Sequence, residues 1–378
     1  MSTSTLSSSA IPANDFQSLW REIEEPAVNA LRRVGQSGWF ILGREVQAFE
    51  SALATFWGLD HAVGCGNGMD AIEIALRAGG LQPGERVLTT PLSAFATTLA
   101  IQRAGGVPVF IDVDANGLLD LHQARRVLVT DRQLRWMVPV HLFGQCMDLE
   151  MLATLRDEFS LKIVEDCAQS IGATWHAQPC GSVGFAATTS FYPTKNLGAL
   201  GDGGALLTND ASIASAARHW RDYGQSEKYV HTLPGLNSRL DEVHAAILLD
   251  AMLPRLRKFT QARTVAADAY RDGISHPDLQ LLDSPPACGS VHHLFPVMVA
   301  RNRESFMTHL KQHGIGVGIH YPSLIPDQPA MHGTEAESIG TLATARRLAA
   351  QEVSLPIHPH LTSDQIDRVI AACNSWSH

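Results

Sequence analysis

The sequence predicts an α/β fold: a large, mostly parallel, seven-stranded sheet domain flanked by helices, followed by a smaller C-terminal α+β domain. Three observations lead there. Short apolar runs alternate with helical stretches between residues 62 and 166, the pattern of repeated strand–helix units. Two further apolar runs, at 187–192 and 204–208, bring the strand count to seven. A chain of 378 residues, 45% hydrophobic and 18% charged, is long and apolar enough for one large core and a second, smaller one.

Taken in order, helical periodicity covers 15–35 and 44–57, with the turn GQSGWFILG between them. The alternation then opens with AVGCG (62–66) and a helix over 68–79, RVLTT (86–90) and 94–104, and VPVFID (107–112) and a helix near 120–128. It continues with RWMVPVH (135–141) and 148–158, then KIVED (162–166). After the runs ATTSFY and GALLT come helices near 211–223 and 240–272, then hairpin-like runs at 278–282 and 291–299. A helix near 303–313, the strand VGIHY (317–321) and helices near 338–351 and 364–374 complete the chain. The domain boundary falls near residue 250, giving a large domain over 1–250, with a flexible tail over 1–12, and a small one over 251–378.

Composition excludes several classes. Twenty-nine basic against 38 acidic side chains leave a net charge of −9 with no basic run, so neither nucleic acid nor an anionic membrane is an expected partner. The opening MSTSTLSSSA has neither the charge nor the apolar run of a signal peptide, and no stretch is long and apolar enough to span a bilayer. The six cysteines, Cys65, Cys146, Cys167, Cys180, Cys288 and Cys373, are scattered without a CxxC pair or zinc spacing. No metal site is expected, and the expected compartment is the reducing cytoplasm.

Ligands of such sheets sit beyond the carboxyl ends of the strands, and the unusual residues lie there. GCGNGMDAIEIAL (64–76) passes from strand to helix through glycines, where free amides favour a phosphate; a purely structural turn also favours glycine. VEDCAQS (164–170) ends a strand with Glu165 and Asp166, either helix-capping acids or, for Asp166, the partner of a pyridinium nitrogen. SFYPTKNLGALGDGG (190–204) is the most informative. Only five of the 29 basic residues are lysines, and Lys195 alone among them sits between an apolar strand and a glycine-rich loop with no acid within six positions. A lysine in such a site loses its proton readily and attacks carbonyls.

Together these segments resemble the DegT/DnrJ/EryC1/StrS family, the pyridoxal-phosphate-dependent nucleotide-sugar aminotransferases of fold type I. The resemblance runs in order through SGWFILGREVQAFE, GCGNGMDAI, PLSAFATTLA, PVHLFGQCMDL, EDCAQ, SFYPTKNLGALGDGG, GLNSRLDEVHAAIL, IHYP and LPIHPHLT. It implies pyridoxal 5'-phosphate (PLP) held by Lys195 as a Schiff base, with Lys195 then moving the proton. It implies Asp166 on the pyridine nitrogen, Gln169 at the ring hydroxyl and Phe95 stacked on the ring. The amides of Gly68 and Met69 and the Ser190 hydroxyl would hold the phosphate, joined by Asn237 of a neighbouring subunit in a homodimer with shared sites. Trp39, Phe40, Arg239, His320 and Tyr321 are the substrate-side candidates.

Two departures stand out: Met69 replaces a small hydroxyl residue, and SLIPDQPA follows IHYP in place of a Pro-x-His continuation. Tyr192-Pro193-Thr194-Lys195 followed by NLGALGDGG resembles the subset acting on 3-keto sugars, whereas many C-4 aminating members carry His-Pro-x-Lys. The implied reaction aminates a nucleotide-linked keto-sugar with L-glutamate as donor, in deoxyamino sugar biosynthesis. Other readings are a 4-keto aminotransferase, a sugar dehydratase, in which histidine replaces the lysine, and a non-catalytic regulator on the same fold.

Overall fold

The computed structural model describes residues 10–377. Its central sheet is built from β1 (His61–Cys65), β2 (Arg86–Thr89), β3 (Val107–Phe110), β4 (Trp136–Val138) and β5 (Lys162–Asp166). A short hairpin, β6 (Thr174–Trp175) and β7 (Gln178–Pro179), precedes two more sheet strands, β8 (Ala186–Ser190) and β9 (Gly204–Thr208). Between them run α1 (Phe16–Ser37), α2 (Arg44–Trp57), α3 (Gly68–Ala78), α4 (Phe95–Arg103), α5 (Leu121–Thr130) and α6 (Leu149–Phe159). The starts of α3, α5 and α6 are set by Asn67, Asp120 and Asp148, whose side chains accept amide hydrogen bonds from the first turn.

Beyond the sheet come α7 (Ala211–Arg221), the hairpin β10 (Gln225–Glu227) and β11 (Val230–His231), then α8 (Glu242–Ile247) and α9 (Leu256–Gly273). The C-terminal part contains β12 (Leu279–Leu281), β13 (Cys288–Gly289), β14 (Phe295–Val299), α10 (Arg303–Gln312), β15 (Glu337–Ser338), α11 (Ala343–Gln351), β16 (Glu352–Leu355) and α12 (Ser363–Ser375). There β12, β14 and β16 form an antiparallel sheet with its own core around Tyr270, Phe306 and Val369.

The strand order of the large sheet is β1-β9-β8-β5-β4-β2-β3-β15. It therefore has eight strands instead of the expected seven, because Glu337 and Ser338 from the C-terminal part add a parallel edge beside β3. All pairings are parallel except those of β9. The physical reason lies in the loop 191–203, which contains no helix. Without a crossover element the chain turns back on itself, so β9 runs antiparallel to β8 and carries β1 on its far side. Alternation divides the strands between two cores: Val63, Val87, Val164 and Leu206 face one, and Ala62, Leu88, Ile163 and Leu207 face the other.

Other expectations shift locally. VGIHY is not a strand; only Gly318 bridges to Ser354. The last helices start at Ala343 and Ser363. Within the segment expected as a tail over 1–12, Ile11 is buried and pairs with Ile315; residues 1–9 lie outside the described part. Among the described residues no helix is long and apolar enough to cross a membrane.

Candidate active site

The strand β5 ends in two carboxylates, and its pleat sends them to opposite faces. Glu165 accepts hydrogen bonds from the amides of Gly181, Val183 and Gly184 at 3.1, 2.7 and 2.6 Å, and lies 2.9 Å from His141 Nε2. It is a saturated structural acid. Asp166 Oδ2 accepts the Thr97 hydroxyl at 2.8 Å and Oδ1 accepts the Ala168 amide at 3.0 Å. Among the described residues no cation forms an ion pair with it, although it is only 4% exposed. A buried carboxylate hydrogen-bonded only by neutral donors is a ready partner for a cationic ligand.

The neighbouring parallel strand supplies the nucleophile. Thr188 of β8 is in register with Asp166, and the chain continues into the helix-free loop that carries Lys195. The Lys195 amide donates to Tyr192 O at 2.8 Å, and the Ala199 amide closes the loop on Phe191 O at 2.7 Å. A Cβ on Gly198 would stand 2.5 Å from Pro193 O, so this turn requires glycine. Burial pushes the half-buried Lys195 ammonium down to about 8, with the Asp166 charge opposing the shift.

Two imidazoles share this neighbourhood. Burial, and then the charge of Lys195, drives His293 well below its usual value and His320 to about 4. His293 Nδ1 lies 3.0 Å from Asn196 Oδ1, and His320 Nδ1 lies 2.9 Å from Ser354 Oγ. Glu352, at the start of β16, accepts the His320 amide at 2.6 Å and the Ser354 hydroxyl. Thr194, His293, His320 and Ser354 line a cavity of about 90 Å³. Gln169 is held at both ends: its Oε1 accepts the Phe143 amide at 2.8 Å, and its Nε2 donates to Tyr321 Oη at 3.2 Å. Phe95 opens α4, the helix that brings Thr97 to Asp166.

The third element is the start of α3. Asn67 takes the Asp70 amide at 2.8 Å, while the amides of Gly68 and Met69 belong to the first turn and have no helical acceptor. A Cβ on Gly68 would lie 2.7 Å from Ser190 Cβ, which places Ser190 directly against this helix start. Glycine is required here by close approach.

Other sequence-derived candidates lie apart. Trp39 and Phe40 are 63% and 53% exposed, and their hydrogen bonds, from Trp39 Nε1 to Ile41 O and from the Glu242 amide to Phe40 O, reach none of the residues above. Exposed Asn237 is engaged by Arg239, which also donates to Asp222 at 2.7 Å. Sequence reasoning missed Thr97, Asn196, Ser354 and Glu352. Nothing in the helix FATTLAIQR marks Thr97, and Glu352 is more than 150 positions from Lys195 in the chain.

The profile of the DegT/DnrJ/EryC1/StrS aminotransferase family matches residues 21–374. The chain belongs to that family. It is 37% identical over 372 residues to the dTDP-3-amino-3,4,6-trideoxy-alpha-D-glucose transaminase of Streptomyces venezuelae, covering 97% of this chain and 96% of that one. It is 36% identical over 362 residues to a Geobacillus stearothermophilus chain named pleiotropic regulatory protein, with coverage of 95% and 96%. The crystal structure of S. venezuelae DesV in complex with a ketimine intermediate superposes with a TM-score of 0.93 at 38% identity, covering 97% and 98% of the two chains.

This DegT/DnrJ/EryC1/StrS member is a PLP-dependent sugar aminotransferase of fold type I. Its residues fit that cofactor: an uncompensated buried carboxylate suits a pyridinium, free helix-start amides suit a phosphate, and a lysine with a depressed pKa suits a carbonyl.

Proposed function

We propose that this aminotransferase converts a dTDP-3-keto-6-deoxyhexose to the dTDP-3-amino-3,6-dideoxyhexose with L-glutamate as amino donor. The observation that carries the reading is the proximity of half-buried Lys195, on the loop after β8, to buried Asp166 at the end of the adjacent strand β5. The choice of C-3 rests on Tyr192-Pro193-Thr194-Lys195 and on the S. venezuelae relative, whose name specifies a 3-amino sugar.

When bound, PLP supplies a carbonyl that condenses with amines and a ring that draws electrons from the adjacent carbon. Lys195 carries the amine that holds it and the proton that moves during exchange; its depressed pKa leaves a useful neutral fraction near neutral pH. Asp166, aimed by Thr97, keeps the pyridine nitrogen protonated. Gln169 spends its carbonyl on Phe143 and one amide hydrogen on Tyr321, which leaves its second amide hydrogen to donate to the ring oxygen. Phe95 stacks on the ring, and Gly68, Met69 and Ser190 hold the phosphate. His320 and Tyr321 face the substrate from the C-terminal part.

Asn237, Arg239, Trp39 and Phe40 serve a second copy of the chain, with Asn237 reaching its phosphate site. Trp39, Phe40, Tyr192, Leu200 and Tyr229 are exposed large apolar side chains of the kind a homodimer covers. Light scattering in solution should give twice the chain mass.

The deciding experiment is product NMR after incubation with glutamate and either a 3-keto or a 4-keto nucleotide sugar. Turnover of the 3-keto compound is expected; turnover of the 4-keto compound alone would overturn the C-3 reading. Lys195→Ala should abolish the yellow, borohydride-reducible adduct, and persistence of that adduct would move the nucleophile elsewhere.

A further inference from the structure

The cysteines carry no zinc spacing along the chain, but the fold gathers them. His141 and Cys146 lie on the loop after β4, Cys167 directly follows β5, and Cys180 follows β7. The ligand atoms of His141, Cys167 and Cys180 all lie within 4.8 Å of one another, and all three residues are buried. Cys167 Sγ and Cys180 Sγ are 3.6 Å apart as free thiols, close to the edge of roughly 3.8 Å in a tetrahedron with zinc–sulfur bonds of about 2.3 Å. The Cys146 thiol stands outside that trio but interacts with both Cys180 and His141, and is the candidate for a fourth donor.

The surroundings suit a metal as well as the donors do. His141 Nε2 is committed to Glu165 Oε2 at 2.9 Å, and Glu165 is itself fixed by three backbone amides. That leaves the Nδ1 lone pair, which accepts the Met147 amide at 3.2 Å. A carboxylate orienting the far nitrogen of a ligating histidine is the usual outer support of a zinc site. Ser170 Oγ, 3.1 Å from Cys180 Sγ, is placed to donate to a thiolate. Three thiolates and one imidazole select zinc over the oxygen-loving magnesium and calcium.

We infer that His141, Cys146, Cys167 and Cys180 form a closed, four-coordinate structural zinc site beneath the floor of the active site. On binding, Zn²⁺ displaces the three thiol protons to solvent and takes the His141 Nδ1 lone pair in place of the Met147 amide. The consequence for catalysis is positional. Cys167 is the residue after Asp166, and the loop carrying His141 and Cys146 also supplies the Phe143 amide that fixes Gln169. One ion would therefore clamp together the two segments that aim those side chains.

The test is metal analysis of the full-length protein, produced with zinc in the medium and purified without chelator. One zinc per chain is expected. After removal of the metal, added Co²⁺ alone should give thiolate-to-cobalt absorption and tetrahedral visible bands, and Cys167→Ser and Cys180→Ser should each weaken both. A wild-type protein that carries no zinc and gives no cobalt spectrum overturns the inference, as does a Cys167–Cys180 disulfide found by mass spectrometry. The wild-type measurements decide the matter even where a serine variant fails to fold, and none of them depends on the sugar substrate.

Discussion

Thr97 donates its hydroxyl to Asp166 Oδ2 at 2.8 Å, tying the first turn of α4 to the end of β5. Thr97→Val keeps the shape and removes the donor. A hydrogen bond to a charged group contributes about 1.5–3 kcal/mol, so PLP affinity should fall at least about ten-fold. Thr97→Ser should restore most of it. Absorbance titration with PLP measures both.

Capture of the cofactor should report the state of Lys195. With its pKa pushed to about 8, the rate at which cofactor-free protein binds PLP should rise about ten-fold per pH unit and level off above about 8. The charge of Asp166 raises this pKa against burial. Asp166→Asn should therefore move the midpoint to lower pH; stopped-flow traces across pH would reveal an unmoved midpoint as readily.

Glu352 should leave a signature in stability. Burial pushes it up to about 7 from 4.5, opposed by Ser354, the His320 amide and Arg303. Between those values the folded chain holds a proton that the unfolded chain has lost, so stability falls as pH rises through the window, by up to about 3 kcal/mol. Glu352→Gln should abolish this fall, and its melting temperature should overtake that of the wild type above pH 7. Calorimetry on both sides of the window provides the comparison.

The start of α2 depends on Glu242, which accepts the amides of Gly43, Glu45 and Val46 at 2.8, 2.9 and 2.9 Å. The carboxylate is 2% exposed, so Glu242→Ala leaves these donors with little access to water. A loss of about 3 kcal/mol is expected, read as a lower denaturant midpoint at unchanged slope.

Much of this was legible in the chain. The strand–helix alternation came through because apolar runs and helical stretches differ in period, and Lys195 stood out because four other lysines had ordinary surroundings. What stayed hidden depends on distance across the fold. Thr97 meets Asp166 across 69 positions, and His320 meets Ser354 across 34. The two-residue edge strand β15 has no pattern long enough to read. His141 and Cys146 share one loop, but Cys167 and Cys180 arrive from two others, so no local spacing shows the four together.

Glu165 and Asp166 are chemically near-equivalent neighbours on one strand, yet one faces backbone amides and the other a ligand. Insertion or deletion of a single residue in β5 would exchange their faces, burying the ligand-facing acid among structural amides and leaving the amides' partner in the cleft. Since β5 also pairs with both β4 and β8, such an error would be transmitted to the Lys195 loop as well. The residue count of this strand therefore matters to the enzyme as much as the identity of its two acids.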